Sequence, residues 1–353
     1  MTDSTIGAIA ARRPAARLGL RLGLGTILAG IMVMAIGIAV SVGAVSVPLT
    51  TVWGVVLDRL LPGLLTPDWS AGRASIVWEI RLPRVILAGI VGAGLGLVGA
   101  ALQSVTRNPL ADPHLLGISS GGAFGAIAAL LHTGLFLGAL TVPLMAFGGA
   151  LIATALVLGL AGVARATSAD RLVLTGVAVS FVVMACANIL IFLGDPKATH
   201  TVAFWMLGGL GLAQWAHLAW PLAVLVPCGL WLWAQGGRLN AMSLGDETAA
   251  SLGLEVGRFR LTVFVVAALI TGVMVAFSGL IGFVGLMMPH LVRMFVGGDN
   301  ARVLPASAFA GAVFLIGADA LARVALAPED LPVGVVTGLC GGLFFIWIMA
   351  RRG

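Results

Sequence analysis

The sequence predicts an all-α, polytopic membrane protein with about ten transmembrane helices. Three observations carry that prediction. Of 353 residues 60% are hydrophobic and only 10% charged, and apolar runs recur from Leu24 to the C-terminus. A bilayer core needs about 20 apolar residues per helical span, and a soluble domain carries about 25% charged residues. The 49 glycines fit the same class, because small residues let helices approach closely where lipid gives no hydrophobic drive.

The predicted spans cover 24–46, 84–105, 115–133, 141–164, 172–193, 216–236, 261–278, 280–296, 304–324 and 332–350. Residues 1–23 read as a basic N-terminal segment, with Arg12, Arg13, Arg17 and Arg21 before the first apolar run. A cleaved secretory signal has an apolar core of about 7–15 residues. The run from Leu24 to Val45 is longer, so it reads as a retained first span with its basic flank inside. Residues 24–353 then form one ten-span domain. An even number of spans places both termini on one side. With the N-terminus inside, fourteen of the 20 basic residues fall on the inner side and six on the outer, the bias expected of cytoplasmic loops. Two extramembrane segments stand out. The outer segment 47–83 carries Pro62, Pro67 and Trp69. The inner segment 238–260 is the most polar stretch and reads as one short amphipathic helix, with Met242, Ala249, Leu252 and Leu254 apolar and Asp246 and Glu247 near its positive dipole end.

Composition also excludes functions. The net charge of +6 comes from arginines scattered between apolar runs, without the basic stripe that nucleic acid requires. Cys186, Cys228 and Cys340 lie inside apolar stretches with no C-x-x-C spacing, so neither zinc nor a disulfide framework is indicated. A phosphate-binding loop needs a lysine after its glycines. Lys197, the one lysine, stands in GDPKAT, so the chain is predicted not to hydrolyse ATP. An HExxH pattern is absent from the sequence as well, and the chain is predicted to be no enzyme, with no cofactor and no metal. Asp319 is the one acidic residue well within a span, and Arg323 follows four residues later. An i,i+4 ion pair is the plain reading. The alternative is an ion-coupled secondary transporter acting alone, with Asp319 essential.

Glycine spacing gives the sharpest local pattern. Gly92 and Gly96 are four apart, as are Gly117, Gly121 and Gly125, and each set makes a smooth stripe for close helix packing. Between them runs TRNPLADPHLLGISSGG, where Asn108-Pro109 and Asp112-Pro113 disfavour helix and force a turn or re-entrant shape. Irregular backbone at membrane depth is tolerated when buried in protein or lining a cavity. A structural hinge and a pathway lining made by Asn108, Pro109, Gly117, Ser119 and Gly121 both remain open.

The segment RLPRVILAGIVGAGLGLVGAALQSVTRNPLADPHLLGISSGG resembles the signature of the iron-chelate and cobalamin importer permeases, the transmembrane subunits of type II ABC importers. The resemblance continues through RLVLTGVAVS, FWMLGG, LNAMSLGDETAASLGL, SGLIGFVGLMMPHLVR, ADALAR and LPVGVVTGLCGG, covering about Trp78 to Arg351. It implies a homodimer in the bacterial inner membrane with the pathway on its axis, two cytoplasmic ATP-binding subunits, and a periplasmic or lipid-anchored substrate-binding protein. The implied cargo is a ferric siderophore, with haem or cobalamin open. By the same resemblance, Arg81, Arg84 and Arg323 dock glutamates of the binding protein, a task suited to the arginine fork. Met242, Leu244, Gly245, Asp246, Glu247, Ala249, Leu252 and Gly253 form the element that couples to the ATPase. Thr167 and Ser168 match the cytoplasmic gate region. His290 belongs to the MPH motif and reads as structural, whereas His200, in the outer segment, could touch an arriving ligand.

Overall fold

The computed structural model describes residues 23, 25–63, 65–113, 117–163 and 169–352. Thr167 and Ser168 lie outside the described residues. Ten apolar helices stand at the ten expected places: α1 Gly25–Ser41, α3 Ala71–Thr106, α4 Ile118–Thr133, α5 Thr141–Val163, α6 Ala169–Leu193, α8 Trp215–Ala234, α11 Val256–Ser278, α12 Val284–Val296, α13 Asn300–Ala322 and α14 Val333–Arg352. Four shorter helices join them: α2 Leu49–Leu60, α7 Thr199–Met206, α9 Gly236–Leu244 and α10 Asp246–Ser251.

The ends of the helices fall into two sets. The outer set, in the sense of the charge bias, holds the end of α1, the start of α3, α7, the end of α13 and the start of α14. The inner set holds the end of α3, α9, α10, and the starts of α11 and α13.

Several boundaries move, each for a physical reason. The first span stops at Ser41 rather than 46, because buried arginines from elsewhere in the chain take its last carbonyls. The outer segment 47–83 is largely helical: α2 occupies its first part and α3 begins at Ala71, passing through a π-turn over Ile76–Arg81 before Pro83. The eighth span starts at Val284 instead of 280. Ahead of it Gly279 has φ +66° and Phe283 φ +68°. The first part of this stretch is buried, with Gly209 N–H donating to Ser278 O at 2.8 Å and Ile281 1% exposed, while Phe283 at its end is 36% exposed. Irregular backbone is thus sheltered by protein rather than offered to lipid.

Depth of burial ranks the helices. α3 is the centre: 83% of its most apolar window is buried, against 17% for α6 and 22% for α14. A helix apolar on all sides belongs in the interior. The two outlying helices expose large side chains such as Phe181, Phe192 and Leu343.

Glycines set the closest contacts. Gly92 faces the backbone of Gly311 and Gly96 that of Ser307, drawing α3 onto α13. Gly99 faces Gly285 on α12, while Gly121 and Gly125 meet Gly149 and Met145 of α5. The stripes of Gly92/Gly96 and Gly121/Gly125 therefore pack as their spacing predicts. Gly117 does something else: with φ +77° it caps the start of α4. A side chain at Gly92 would strike the Gly311 carbonyl. Gly92→Val is expected to cost about 3 kcal/mol or more, read as a fall in thermal unfolding temperature of the purified protein. Gly148→Ala, where nothing lies within 4 Å of the added carbon, should leave that temperature unchanged.

Candidate functional site

Two polar clusters sit at opposite ends of the α3–α13 pair. At the outer end Asp319, fully buried, receives two arginines: Arg84 Nε at 2.8 Å on one oxygen and Arg323 Nε at 3.1 Å on the other. The i,i+4 pair of Asp319 and Arg323 forms as the spacing predicts. Arg84 also donates to Asp330 at 2.5 Å, on the loop between α13 and α14. Arg323 reaches the carbonyls of Val42 and Ala39, each at 2.6 Å. Arg81 donates to Val40 O at 2.8 Å, Ser41 O at 3.1 Å and Val45 O at 2.5 Å. A helix end leaves four carbonyls without partners. Here two guanidinium groups supply the donors, which explains why α1 ends where it does.

Arg81, Arg84 and Arg323 are therefore at the outer end, where the docking assignment needs them, but they are 6%, 8% and 4% exposed and are bonded within the chain. Of the three, Arg84 alone pairs with an exposed carboxylate, Asp330, which the sequence reading missed.

At the inner end the predicted single amphipathic helix is in fact two, α9 and α10. They are separated at Gly245, whose φ of +123° suits glycine. Met242 and Ala249 turn inward and are fully buried, whereas Leu244 and Leu252 are 71% and 68% exposed. Asp246, at the start of α10, accepts from Arg260 Nη2 at 2.6 Å and lies 3.9 Å from Arg107. Arg260 is 1% exposed and also donates to Val105 O at 3.2 Å, so it ties α10 to the end of α3. The Arg260 hydrogen bond holds the Asp246 carboxyl below its usual value. Its contribution is accordingly complete at neutral pH and is lost only as pH falls through that depressed value.

A second tie fastens α9. Asn240 Oδ1 accepts from the backbone N–H and side-chain Nδ2 of Asn300 at 2.8 and 2.9 Å, and Asn240 Nδ2 donates to Asp299 at 2.9 Å. Ser104 on α3 donates to Asn300 Oδ1 at 2.9 Å. Sequence reading passed over Asn240, Asn300 and Ser104. The available signal was Asp299, a helix-start residue whose side chain accepts from Ala301 N–H.

Elsewhere, Asn108 and Pro109 are exposed in the turn after α3, where Asn108 Oδ1 accepts from Leu110 N–H at 2.9 Å. Ser119 is 9% exposed and Gly121 lies against α5. These residues make a turn and a helix contact in this conformation. His290 rests edge-on against Phe344 and Phe345. His200 and His217 line an outer cavity of about 770 Å³ with Phe204 and Trp205. Among the described residues no group of three or more His, Cys, Asp or Glu is placed to hold a metal ion.

The arrangement offers a stiff helix pair with a polar anchor at each end and two exposed leucines beside the inner one. Asp319→Asn would leave the buried Arg323 without a carboxylate partner and Arg84 with Asp330 alone, at a cost of about 3–5 kcal/mol. Purified protein should show this as reduced thermal stability, and uptake should fall only in proportion to the folded protein lost.

Known proteins share the pattern. A model of the FecCD transport family matches residues 31–351. The vitamin B12 import system permease protein BtuC of Citrobacter koseri is 39% identical over 285 residues, 80% of this chain and 86% of its own length. The hemin transport system permease protein HmuU of Yersinia pestis is 37% identical over 336 residues, covering 94% and 96% of the two chains. Among solved structures, a metal-chelate type ABC transporter in an inward-facing conformation superposes with a TM-score of 0.77 at 29% identity, over 93% of this chain and 99% of that one.

Proposed function

The chain belongs to the FecCD transport family, and from that premise we propose that it carries a metal chelate, a ferric siderophore first, inward across the bacterial inner membrane as one half of a homodimer. It is a permease subunit of a type II ABC importer, a family that works with ATPase and substrate-binding partners. ATP hydrolysis belongs to the partner subunits, and this chain's work is to shift between states that those partners bind differently. Both termini then face the cytoplasm, with α9 and α10 on the ATPase side.

The observation that carries the reading is the inner pair α9–α10. Its buried face is fixed to α3, α11 and α13 through Asp246, Arg260, Asn240 and Asn300, while Leu244 and Leu252 project outward. A rigidly rooted element with an exposed apolar tip suits a partner cleft and transmits its displacement. The residues Met242, Gly245, Glu247, Ala249 and Gly253 complete this coupling element, and the turn at Asn108 and Pro109 is assigned to the gate together with Thr167 and Ser168, which lie outside the described residues.

Docking of the binding protein is proposed at the outer end through Arg84, where an incoming carboxylate can replace Asp330. Arg81 and Arg323 serve that surface by holding the carbonyls of residues 39–45.

Leu244→Asp with Leu252→Asp should abolish co-purification of the ATPase subunits and leave the permease folded, read by pull-down and thermal unfolding. Full ATPase association in that double variant overturns the coupling assignment. Ion-gradient-driven uptake by the purified chain alone in liposomes would instead establish the secondary transporter. For the cargo, calorimetry of the substrate-binding protein encoded with this permease should give sub-micromolar binding of a ferric siderophore. Preference for haem or cobalamin, the ligands of the two relatives' systems, would revise the cargo without touching the permease assignment.

A further inference from the structure

At the inner end a cavity of about 570 Å³ opens between the last turn of α8, the first turn of α9 and the first two turns of α11. Of its lining, the transport reading uses Leu252 and Gly253 alone. Its floor is aromatic: Trp231 and Phe259 lie with ring centroids 6.5 Å apart. Its rim is cationic. Arg238 donates to the neutral amide of Gln235 at 2.9 Å, and Arg258 pairs with Glu255 at 2.7 Å, a contact 84% and 70% exposed on its two sides. Such an exposed pair contributes little and exchanges readily. With Arg238, Arg258 and Glu255 on the lining, the cavity keeps one positive charge in excess.

The surfaces beside it are apolar and open. Leu261 and Val265 continue the exposed side of α11 into the span, 43% and 39% exposed, and Leu230 on α8 is 56% exposed. A cationic rim at a helix end, an aromatic floor and an apolar track leading into the bilayer match the three parts of one ligand class. We propose that this cavity holds the phosphodiester headgroup of an anionic phospholipid, with Arg238 and Arg258 on the phosphate and the acyl chain along the α8–α11 track. A soluble anion would find the rim but no use for the track. The remaining wall is the stretch Leu252–Leu254 that ends the α9–α10 pair. A bound lipid therefore braces the coupling element from its membrane side. The inference rests on the membrane fold and not on the cargo.

The test uses the permease with its ATPase subunits in nanodiscs of phosphatidylglycerol or of phosphatidylcholine, followed by native mass spectrometry of retained lipid. Wild type should retain phosphatidylglycerol in preference to phosphatidylcholine. Arg238→Ala with Arg258→Ala should lower that retention by roughly thirtyfold, at about fivefold per arginine near a membrane surface. Arg302→Ala, an exposed arginine at the same end, should not. Equal retention of both lipids, or no change in the double variant, overturns the proposal. Displacement of the lipid by millimolar inorganic phosphate reassigns the cavity to a free anion. A cross-link from position 238 to the ATPase in lipid-free complex reassigns it to that subunit. Should the double variant fail to fold, wild type alone decides: thermal stability equal in the two lipids sinks the proposal, and a rise of several degrees in phosphatidylglycerol supports it.

Discussion

Asp319 is fully buried, and both of its carboxylate oxygens are occupied by arginines from different parts of the chain. An isolated charge at that depth is prohibitive; two cations sharing one anion, with backbone carbonyls taking the surplus donors, make it tolerable. The geometry of the outer end follows from this balance. Arg323 and Arg81 have donors left over, and the nearest acceptors are the terminal carbonyls of α1. The first helix therefore ends at Ser41 and is pinned to the central pair, although its own sequence stays apolar for several more residues. The same need governs residues 279–283, whose non-helical backbone is acceptable because protein surrounds it.

The glycine contacts make the two ends mechanically one body. Gly92 and Gly96 bring α3 and α13 into direct backbone contact at two levels. A displacement of α9–α10 reaches this pair through Asn300 and Ser104 at the inner end. It then reaches the Asp319 cluster along two helices that move together. An element with few internal degrees of freedom switches between arrangements rather than deforming gradually, as transport driven from one face of a membrane requires. The lipid cavity lies beside this route and would act on its first link.

Much of the fold was legible in the chain. The ten apolar runs appear as helices at their expected places, α3 alone starting far earlier, at Ala71, because span length and hydropathy are set by the bilayer and need no tertiary information. The packing roles of Gly92, Gly96, Gly121 and Gly125 were equally legible from their spacing. The candidate site was legible in part. The resemblance singled out Arg81, Arg84 and Arg323 and residues 242–253, which the structure sets at opposite ends of the α3–α13 pair. It gave no sign that Arg81 and Arg323 would be spent on the carbonyls of α1, or that Arg84 would hold Asp330, because those partners lie far away in sequence. Asn240 and Asn300 were missed for the same reason: sixty residues separate the two halves of one hydrogen-bonded joint.

What the sequence determined by itself is the solvent of this protein and the places of its apolar helices. Those properties depend on composition and local pattern, which water and lipid read directly. Tertiary structure alone decided which arginine meets which acceptor, that the inner segment breaks into two helices at Gly245, and which of its apolar residues face outward. Met242 and Leu244 are nearly adjacent and chemically alike, yet one is buried and the other exposed. Only the position of α3 and α11 against the segment separates them, since burial is a property of neighbours and not of the residue.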